Sequence, residues 1–376
     1  MKIIIIGAGI GGLTAGIALR QLGYEIEIYE QAGRLTEVGA GISLWANALH
    51  VLKELNVYDA LKSIGLKDVV SGIRLPDGRL LVSISLEDLK KIAHEPILIV
   101  HRAELHAALR RTFGEQNIFL NAHCTGFNET SELVTAAFSN GSRVTGDCLI
   151  GADGIHSRIR AGLHGDHPPR YAGYTAWRAV IPFESDKLSI GETWGADRRF
   201  GQVPLTKERV YWFAAHNEKQ GSTAEEGEKK RLLHLFSGWH SPIEQLIRST
   251  PEEDILRNDI FDRPVLRQWG RGRVTLLGDA AHPMTPNMGQ GACQALEDGL
   301  VLRNCLQDNH TIPAALRAYE KKRISRTNRL VRQSRMIGMI GQWHNPLAVG
   351  LRNLFLEKIA ARSPERQLAG VIDYKV

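Results

Sequence analysis

A chain of 376 residues, 43% of them hydrophobic and 23% charged, is long enough for two domains that share one interface. It holds no apolar run long enough to cross a bilayer, and its four cysteines (Cys124, Cys148, Cys293, Cys305) lack metal-ligand spacing. A membrane-spanning protein and a zinc or disulfide scaffold are therefore set aside, and reduced thiols in a cytoplasmic setting are expected, with no metal site.

Ile3 to Ile6 is a continuous β-branched run, the mark of a strand buried on both faces. Gly7-Ala8-Gly9-Ile10-Gly11-Gly12 follows, with a helical stretch, Leu13 to Leu22, behind it. In this Gly-x-Gly-x-x-Gly, Gly7 permits a tight turn, Gly9 lets a pyrophosphate approach the backbone, and Gly12 lets helix pack on strand. The unpaired N–H groups of the helix N-terminus then face the phosphates. A second strand, Glu25 to Tyr29, ends in Glu30, whose carboxylate accepts hydrogen bonds from a ribose diol. The glycines alone would be weak evidence, but strand, glycines, helix, strand and acid in that order make a strong dinucleotide signature. These first apolar residues thus belong to a nucleotide-binding turn and are not read as a signal peptide.

Gln31 to Val38 includes Arg34, and the glycines of Gly39-Ala40-Gly41-Ile42 suggest backbone passing close to a ligand. Ser43 to Leu66 reads as helical. Gly72 to Ser85 reads as two strands about a Pro76-Asp77-Gly78 turn. Ile97 to Val100 is a short strand, and His101 to Leu105 opens a helix, with Arg102 at the junction suited either to a phosphate or to a surface ion pair. Ile118 to Leu120, Val134 to Phe138 and Arg143 to Val144 read as a short antiparallel run. Cys148 to Gly154 repeats the opening grammar of apolar strand, glycine, acid (Asp153) and glycine (Gly154), but is no second Gly-x-Gly-x-x-Gly. One tightly bound dinucleotide is expected, without a separate domain for another.

Tyr171 to Phe213 is rich in aromatic and strand-forming residues and reads as an inserted antiparallel sheet able to wall an apolar pocket. Glu225 to Leu235 and Pro242 to Ile247 are helical, and Asp259 to Arg263 returns the chain to the first domain. Val274 to Leu277 is a buried strand that delivers Asp279 to a loop, Pro286 to Gly291, and then to a helix starting near Gly291. Ile312 to Trp343 reads as a long basic helix and Pro346 to Ala361 as a shorter amphipathic one.

The net charge of +6 is lopsided: from Val301 to Val376 there are 14 Lys and Arg against 5 Asp and Glu, concentrated in KKRISRTNRLVRQSR. That run has no nucleic-acid motif and no interleaved aromatics, so nucleic-acid binding is disfavoured and a solvated helix face is preferred. A basic surface that attracts an anionic nicotinamide cofactor is the intermediate reading.

The marks GAGIGG with Glu30, Arg102, GADG at Gly151 to Gly154, and GDAAH at Gly278 to His282 followed by PNMGQG resemble those of the single-component FAD-dependent monooxygenases, the flavoprotein aromatic hydroxylases. The resemblance covers essentially the whole length. Within that family AGYTAW (Ala172 to Trp177), ILRNDIFDRP (Ile255 to Pro264) and AYEKKR (Ala318 to Arg323) are similar to zeaxanthin epoxidases and FAD-dependent urate hydroxylases. It implies an α/β fold: a Rossmann-like FAD-binding domain (1–70, 97–170 and 264–311), an inserted antiparallel β-sheet substrate domain (71–96 and 171–263), and a C-terminal helical region (312–376).

The resemblance also implies roles. Gly7, Gly9, Ile10, Gly11 and Gly12 would hold the pyrophosphate of a non-covalent FAD. Glu30, with Gln31 and Arg34 nearby, would meet the adenosine ribose. Gly41, Ile42, Arg102, Asp153, Gly154 and Asp279 would line the rest of the cofactor, and Pro286, Gly289, Gln290, Gly291 and Ala292 would pass beside the isoalloxazine. A helix N-terminus there would favour the anionic reduced flavin. NAD(P)H would act as transient electron donor, and O2 would form a flavin C4a-hydroperoxide that oxygenates an electron-rich, aromatic or heteroaromatic substrate. Arg199 and Tyr211 match the urate hydroxylase pattern for substrate-side residues, with Trp177 and His216 as weaker pocket candidates and no catalytic role for His282. The alternatives are a flavin-dependent reductase on the same fold, an epoxidase of a polyene lipid, and a flavin-binding module that touches membranes through Arg352 to Lys358.

Overall fold

A computed structural model describes residues 1–35, 40–67, 71–95, 97–185, 188, 190–358 and 369–374. Its elements run β1 (Lys2–Ile6), α1 (Ile10–Arg20), β2 (Glu25–Tyr29), β3 (Gly41–Trp45), α2 (Ala46–Glu54), α3 (Tyr58–Lys62), β4 (Leu66–Lys67), β5 (Ser71–Arg74), β6 (Leu80–Ile84), α4 (Leu86–Ile92), β7 (Ile97–His101), α5 (Arg102–Phe113), β8 (Ile118–Phe119), β9 (Cys124–Glu129), β10 (Val134–Phe138), β11 (Arg143–Gly146), β12 (Cys148–Gly151) and α6 (Arg158–His164). The second half adds β13 (Arg170–Pro182), β14 (Gly191–Trp194), β15 (Arg198–Thr206), β16 (Arg209–Asn217), α7 (Glu228–Leu235), α8 (Ile243–Ser249), β17 (Leu256–Asp262), β18 (Val274–Leu276), α9 (Gly291–Asp308), α10 (Ile312–Gly341) and α11 (Pro346–Lys358).

Among the described residues the first layer is a five-stranded parallel sheet in the order β18-β12-β1-β2-β8. Ile3, Ile4 and Ile5 are fully buried in its centre, as the unbroken β-branched run predicts. Each such side chain contributes about 1.5–3 kcal/mol of burial. Helices α1 and α9 cover the sheet side by side. A Cβ on Gly11 would meet Ala295, and one on Gly299 would meet Thr14 and Ala15, so the two helices run parallel with their N-termini together.

The second layer is a seven-stranded sheet in the order β17-β13-β16-β15-β14-β5-β6. One of its faces, with Trp177, Phe200 and Trp212, is buried under α7 and α8 through Leu232, Phe236, Ile243, Leu246 and Ile247. The other faces the first layer. Between them lies a small antiparallel sheet, β3-β7-β4.

Three sequence expectations change. Ser43 to Trp45 is strand, not helix, because these residues pair with Ile97 to Ile99 of β7. Ile118 and Phe119 join the parallel sheet beside β2, and β9, absent from the sequence reading, takes their place against β10. The strand β17 keeps Asp259 to Asp262 in the seven-stranded sheet instead of returning them at once to the first layer. Positions 36–39 of the predicted ligand-side loop, and 359–361 of the last predicted helix, lie outside the described residues.

The basic helix α10 is also less solvated than its composition suggests. Lys321, Lys322, Arg329 and Arg332 are exposed, but Arg323 and Arg326 point inward. Arg323 Nε donates to Asp298 Oδ1 at 2.6 Å, and its Nη1 bonds Glu297. Arg326 donates to both oxygens of Glu297 at 2.8 Å. Asp298 Oδ2 in turn accepts from the Gly278 amide at 3.0 Å and pairs with His282 Nε2 at 2.6 Å. This buried network ties α9 and α10 to the loop that carries Asp279. Arg352 likewise turns inward, to the carbonyls of Gly341 and Gly195, and leaves Leu347, Leu351, Leu354 and Phe355 exposed. No helix among the described residues is long and apolar enough to cross a membrane.

Candidate active site

The two sequence motifs with glycine and acid meet at one point. A Cβ on Gly7 would lie 2.3 Å from the Ala152 carbonyl oxygen, so the first turn is pressed against Ala152-Asp153. A Cβ on Gly12 would lie 2.0 Å from the Gly7 carbonyl oxygen, which is why helix and strand can close here. Gly9, by contrast, has nothing within 4 Å of its Cβ position and opens onto free space. Glu30 folds back over this turn, accepting from the Ala8 amide at 2.8 Å and the Ala32 amide at 2.9 Å.

Neither α1 nor α9 has a side-chain N-cap, although both begin beside this space. Two parallel helix N-termini with unsatisfied N–H groups form a strongly anion-attracting corner. Asp153 Oδ2 caps α6 by accepting from the Arg158 amide at 2.7 Å, while its Oδ1 is buried without a partner. Burial pushes the Asp153 carboxyl up, against the pull of its hydrogen bonds. Asp279 is exposed, yet burial is the largest influence on its carboxyl and raises its pKa, with the charges of His282 and Arg102 acting the other way. The orphaned Asp153 oxygen, the open Gly9 and the two uncapped helices fit a dinucleotide with a pyrophosphate at its centre.

The other expected cofactor residues divide. Gly41 and Ile42 start β3 opposite His101 and Val100, and the Arg102 amide donates to the Ala40 carbonyl at 2.9 Å, so these three gather at one strand end. Pro286 to Met288 form a 3-10 turn, Gly289 takes the left-handed conformation (φ 59°), and Gln290, Gly291 and Ala292 open α9. The indole Nε1 of Trp45 is buried without a partner and lies 3.5 Å from where a Gly289 Cβ would be. Gly11 and Ile10 serve the core, Gly11 against Leu277 and Ala295 and Ile10 only 6% exposed, so they offer a ligand backbone alone. Gln31 and Arg34 are exposed on the loop after β2.

The inward face of the seven-stranded sheet supplies the opposite wall. Residues directly opposed on antiparallel strands share a face. The register therefore sets Ala176, Ala215, Arg199 and Trp194 in one row, Arg178, Phe213, Gly201 and Glu192 in the next, and Val180, Tyr211 and Val203 in a third. The first row meets the Pro286–Met288 turn: Arg199 Nη2 donates to Asn287 Oδ1 at 2.6 Å, its Nε to Gln342 Oε1 at 3.1 Å, and its Nη1 sits 3.5 Å from Glu192. The guanidinium also lies 5.6 Å from the Trp194 ring and 5.9 Å from that of Tyr174. The third row meets β3, where the Tyr211 ring stacks on the backbone of Gly41. The middle row spans the gap.

Burial pushes the Tyr211 hydroxyl up, so it is a protonated donor across the neutral range. Arg199 is fully engaged among the described residues and braces the Asn287 turn. Trp177 lies on the far face, where its Nε1 donates to Glu228 at 2.7 Å, and His216 is held by Glu218 at 3.2 Å. Neither therefore lines this gap. His282 is spoken for by Asp298. Trp45 and Arg178 have no role in the sequence reading, and Asn287 enters it only as part of the Pro286 to Gly291 loop. The strand alternation of Trp177-Arg178-Ala179-Val180 placed Arg178 opposite the aromatic core, and was the one signal available for it.

Residues 1–334 match the FAD binding domain family. The chain belongs to the FAD-dependent monooxygenases. It is 40% identical to an aurachin C monooxygenase/isomerase of Stigmatella aurantiaca over 363 residues, which cover 96% of this chain and 95% of that one. It is 35% identical over 343 residues to an FAD-dependent urate hydroxylase of Klebsiella pneumoniae subsp. pneumoniae, covering 89% of each. The structure of Klebsiella pneumoniae HpxO complexed with FAD and uric acid superposes with a TM-score of 0.92 at 30% identity, over 99% of this chain and 96% of that one. This oxygenase is thus a flavoprotein with FAD as its cofactor, as the motifs implied.

Proposed function

We propose that the protein uses NAD(P)H and O2 to hydroxylate a small, electron-rich heteroaromatic ring. The observation that carries this reading is the Arg178–Phe213–Gly201 row of the inward sheet face, set between the row that meets the Pro286–Met288 turn and the row that meets Gly41. The Phe213 ring covers Gly201, and Arg178 and Tyr211 in the same and the adjoining row are groups that can orient a planar ring. The relatives support the ring class, since urate and uric acid stand in the names of two of them.

In this reading the α1 and α9 N-termini hold the pyrophosphate and the anionic edge of the flavin, Glu30 the ribose, and Asp153 and Asp279 the polyol stretch. Bound FAD supplies hydride acceptance and oxygen activation. The protein's own work is to place the substrate and keep water out. Tyr211 donates a hydrogen bond to a ring oxygen or nitrogen, since its raised pKa removes it as a base. Arg199 holds the Asn287 turn against the sheet and so fixes the height of the gap. Residues 1–70, 97–170 and 264–311 would form the cofactor-binding domain and 71–96 with 171–263 the substrate wall.

The test is oxygen uptake by the yellow, FAD-loaded protein with NADH or NADPH, in the presence of hydroxylated pyridines, quinolines and purines. At least one ring compound should accelerate coenzyme oxidation and be recovered with an added hydroxyl. Oxidation that no ring compound accelerates, with no hydroxylated product, would argue for a reductase instead.

A further inference from the structure

Arg178 has no assigned task in the site above. It sits mid-strand on β13, directly opposite Phe213 of β16 and on the inward face, half-buried, between the fully buried Trp177 and Ala179 of the other face. Its guanidinium makes no hydrogen bond or ion pair among the described residues. That is unusual company for a free cation. Phe213 lies flat across the neighbouring strand, where a Cβ on Gly201 would come within 2.1 Å of its ring. Burial raises the hydroxyls of Tyr211 and Tyr174, and the charge of Arg178 opposes that rise at both, so the guanidinium is within electrostatic reach of each. The nearest carboxylate in the same row, Glu192, is three strands away on β14 and is already bonded to Trp194 Nε1 at 2.7 Å.

We propose that Arg178 binds a carboxylate carried on the substrate ring, so that the protein selects aromatic or heteroaromatic acids. A ring lying over Phe213 and Gly201 would project an edge substituent about one strand spacing, roughly 4.8 Å, toward β13. A planar guanidinium fork with free donors matches a carboxylate bidentately. The competing cation, Arg199, is occupied by Asn287 and Gln342 and cannot serve without releasing the turn. The inference rests on the oxygenase reading and names the substrate class of that same gap.

Flavin absorbance titration of the FAD-loaded protein decides it, using matched acid and amide pairs: benzoate and benzamide, quinoline-4-carboxylate and its amide, 2-naphthoate and its amide. Wild-type protein should bind at least one acid at least about tenfold more tightly than its amide, the scale of a charge-assisted pair. Arg178→Gln should abolish that preference by weakening the acid far more than the amide, and Arg178→Lys should keep part of it. Wild-type protein that binds no acid, or binds acids and amides alike, overturns the proposal. So does an acid preference that survives in Arg178→Gln or, where that variant retains no FAD, one that is undiminished in Arg178→Lys. Failure of the oxygenase reading shows separately, as a wild-type protein that carries no flavin or never couples coenzyme oxidation to a ring compound.

Discussion

Replacing Arg323 by Met should destabilise the protein by about 3–5 kcal/mol, the cost of removing one partner from a buried ion pair. The side chain is fully buried, and so are Glu297 and Asp298, the two carboxylates it bonds. Glu297 would keep Arg326, but Asp298 would be left with His282 and the Gly278 amide only. The loss is a large share of a typical domain's 5–15 kcal/mol, roughly stated. Burial pushes the Asp298 carboxyl up, but His282 and Arg323 outweigh it and hold it at about 2. A depressed folded pKa stabilises above the unfolded value, about 3.9, and that stability disappears as pH falls through the folded value. The deficit of the variant should therefore be complete at neutral pH and should shrink below about pH 4. Urea denaturation followed by tryptophan fluorescence measures both. Adding Asp298→Asn to Arg323→Met should recover part of the loss, because it removes the stranded charge. A loss below about 1 kcal/mol, the scale of a surface pair, would refute the reasoning. A double variant weaker than the single one would refute it equally.

Further predictions concern the cofactor and substrate walls. Gly12→Val would drive a side chain into the Gly7 carbonyl and should yield protein that retains no FAD, read from the absorbance of the purified sample. Glu30→Gln should weaken FAD binding by about 1–3 kcal/mol, a five- to 150-fold rise in Kd by fluorescence titration, since a charged acceptor is lost. Tyr211→Phe should lower kcat/KM for the ring substrate yet leave the pH profile unchanged below about pH 10, because a hydroxyl with a raised pKa does not titrate there. A profile limb that vanishes in Tyr211→Phe would show that the residue is a base after all.

The cofactor half of the molecule was legible because its constraints are local. Gly7, Gly9 and Gly12 act within one turn, and Ile3 to Ile6 announce a strand buried on both faces whatever lies around them. The substrate half was less legible because its meaning lies in register. The resemblance makes Arg199 a substrate-side residue. Nothing in RRFGQVP says that Asn287 and Gln342, far along the chain, will occupy its donors. Arg178 was passed over, since only the pairing of β13 with β16 shows that it stands beside Phe213. The basic run of α10 misled for a similar reason. Composition reports its charge, whereas the inward turn of Arg323 and Arg326 depends on the acids that α9 presents to them. Ser43 to Trp45 were read as helix because they adjoin the helical Ala46 to Glu54, and their strand character comes from β7.

The most direct test of the oxygenase account is the fate of molecular oxygen. The FAD-loaded protein would be supplied with NAD(P)H, heavy-isotope O2 and the ring compound that best stimulates coenzyme oxidation, and the product analysed by mass spectrometry. The account predicts one labelled oxygen atom in the hydroxylated ring. Label found only in hydrogen peroxide or water, with the ring compound unchanged or its new oxygen unlabelled, would contradict it.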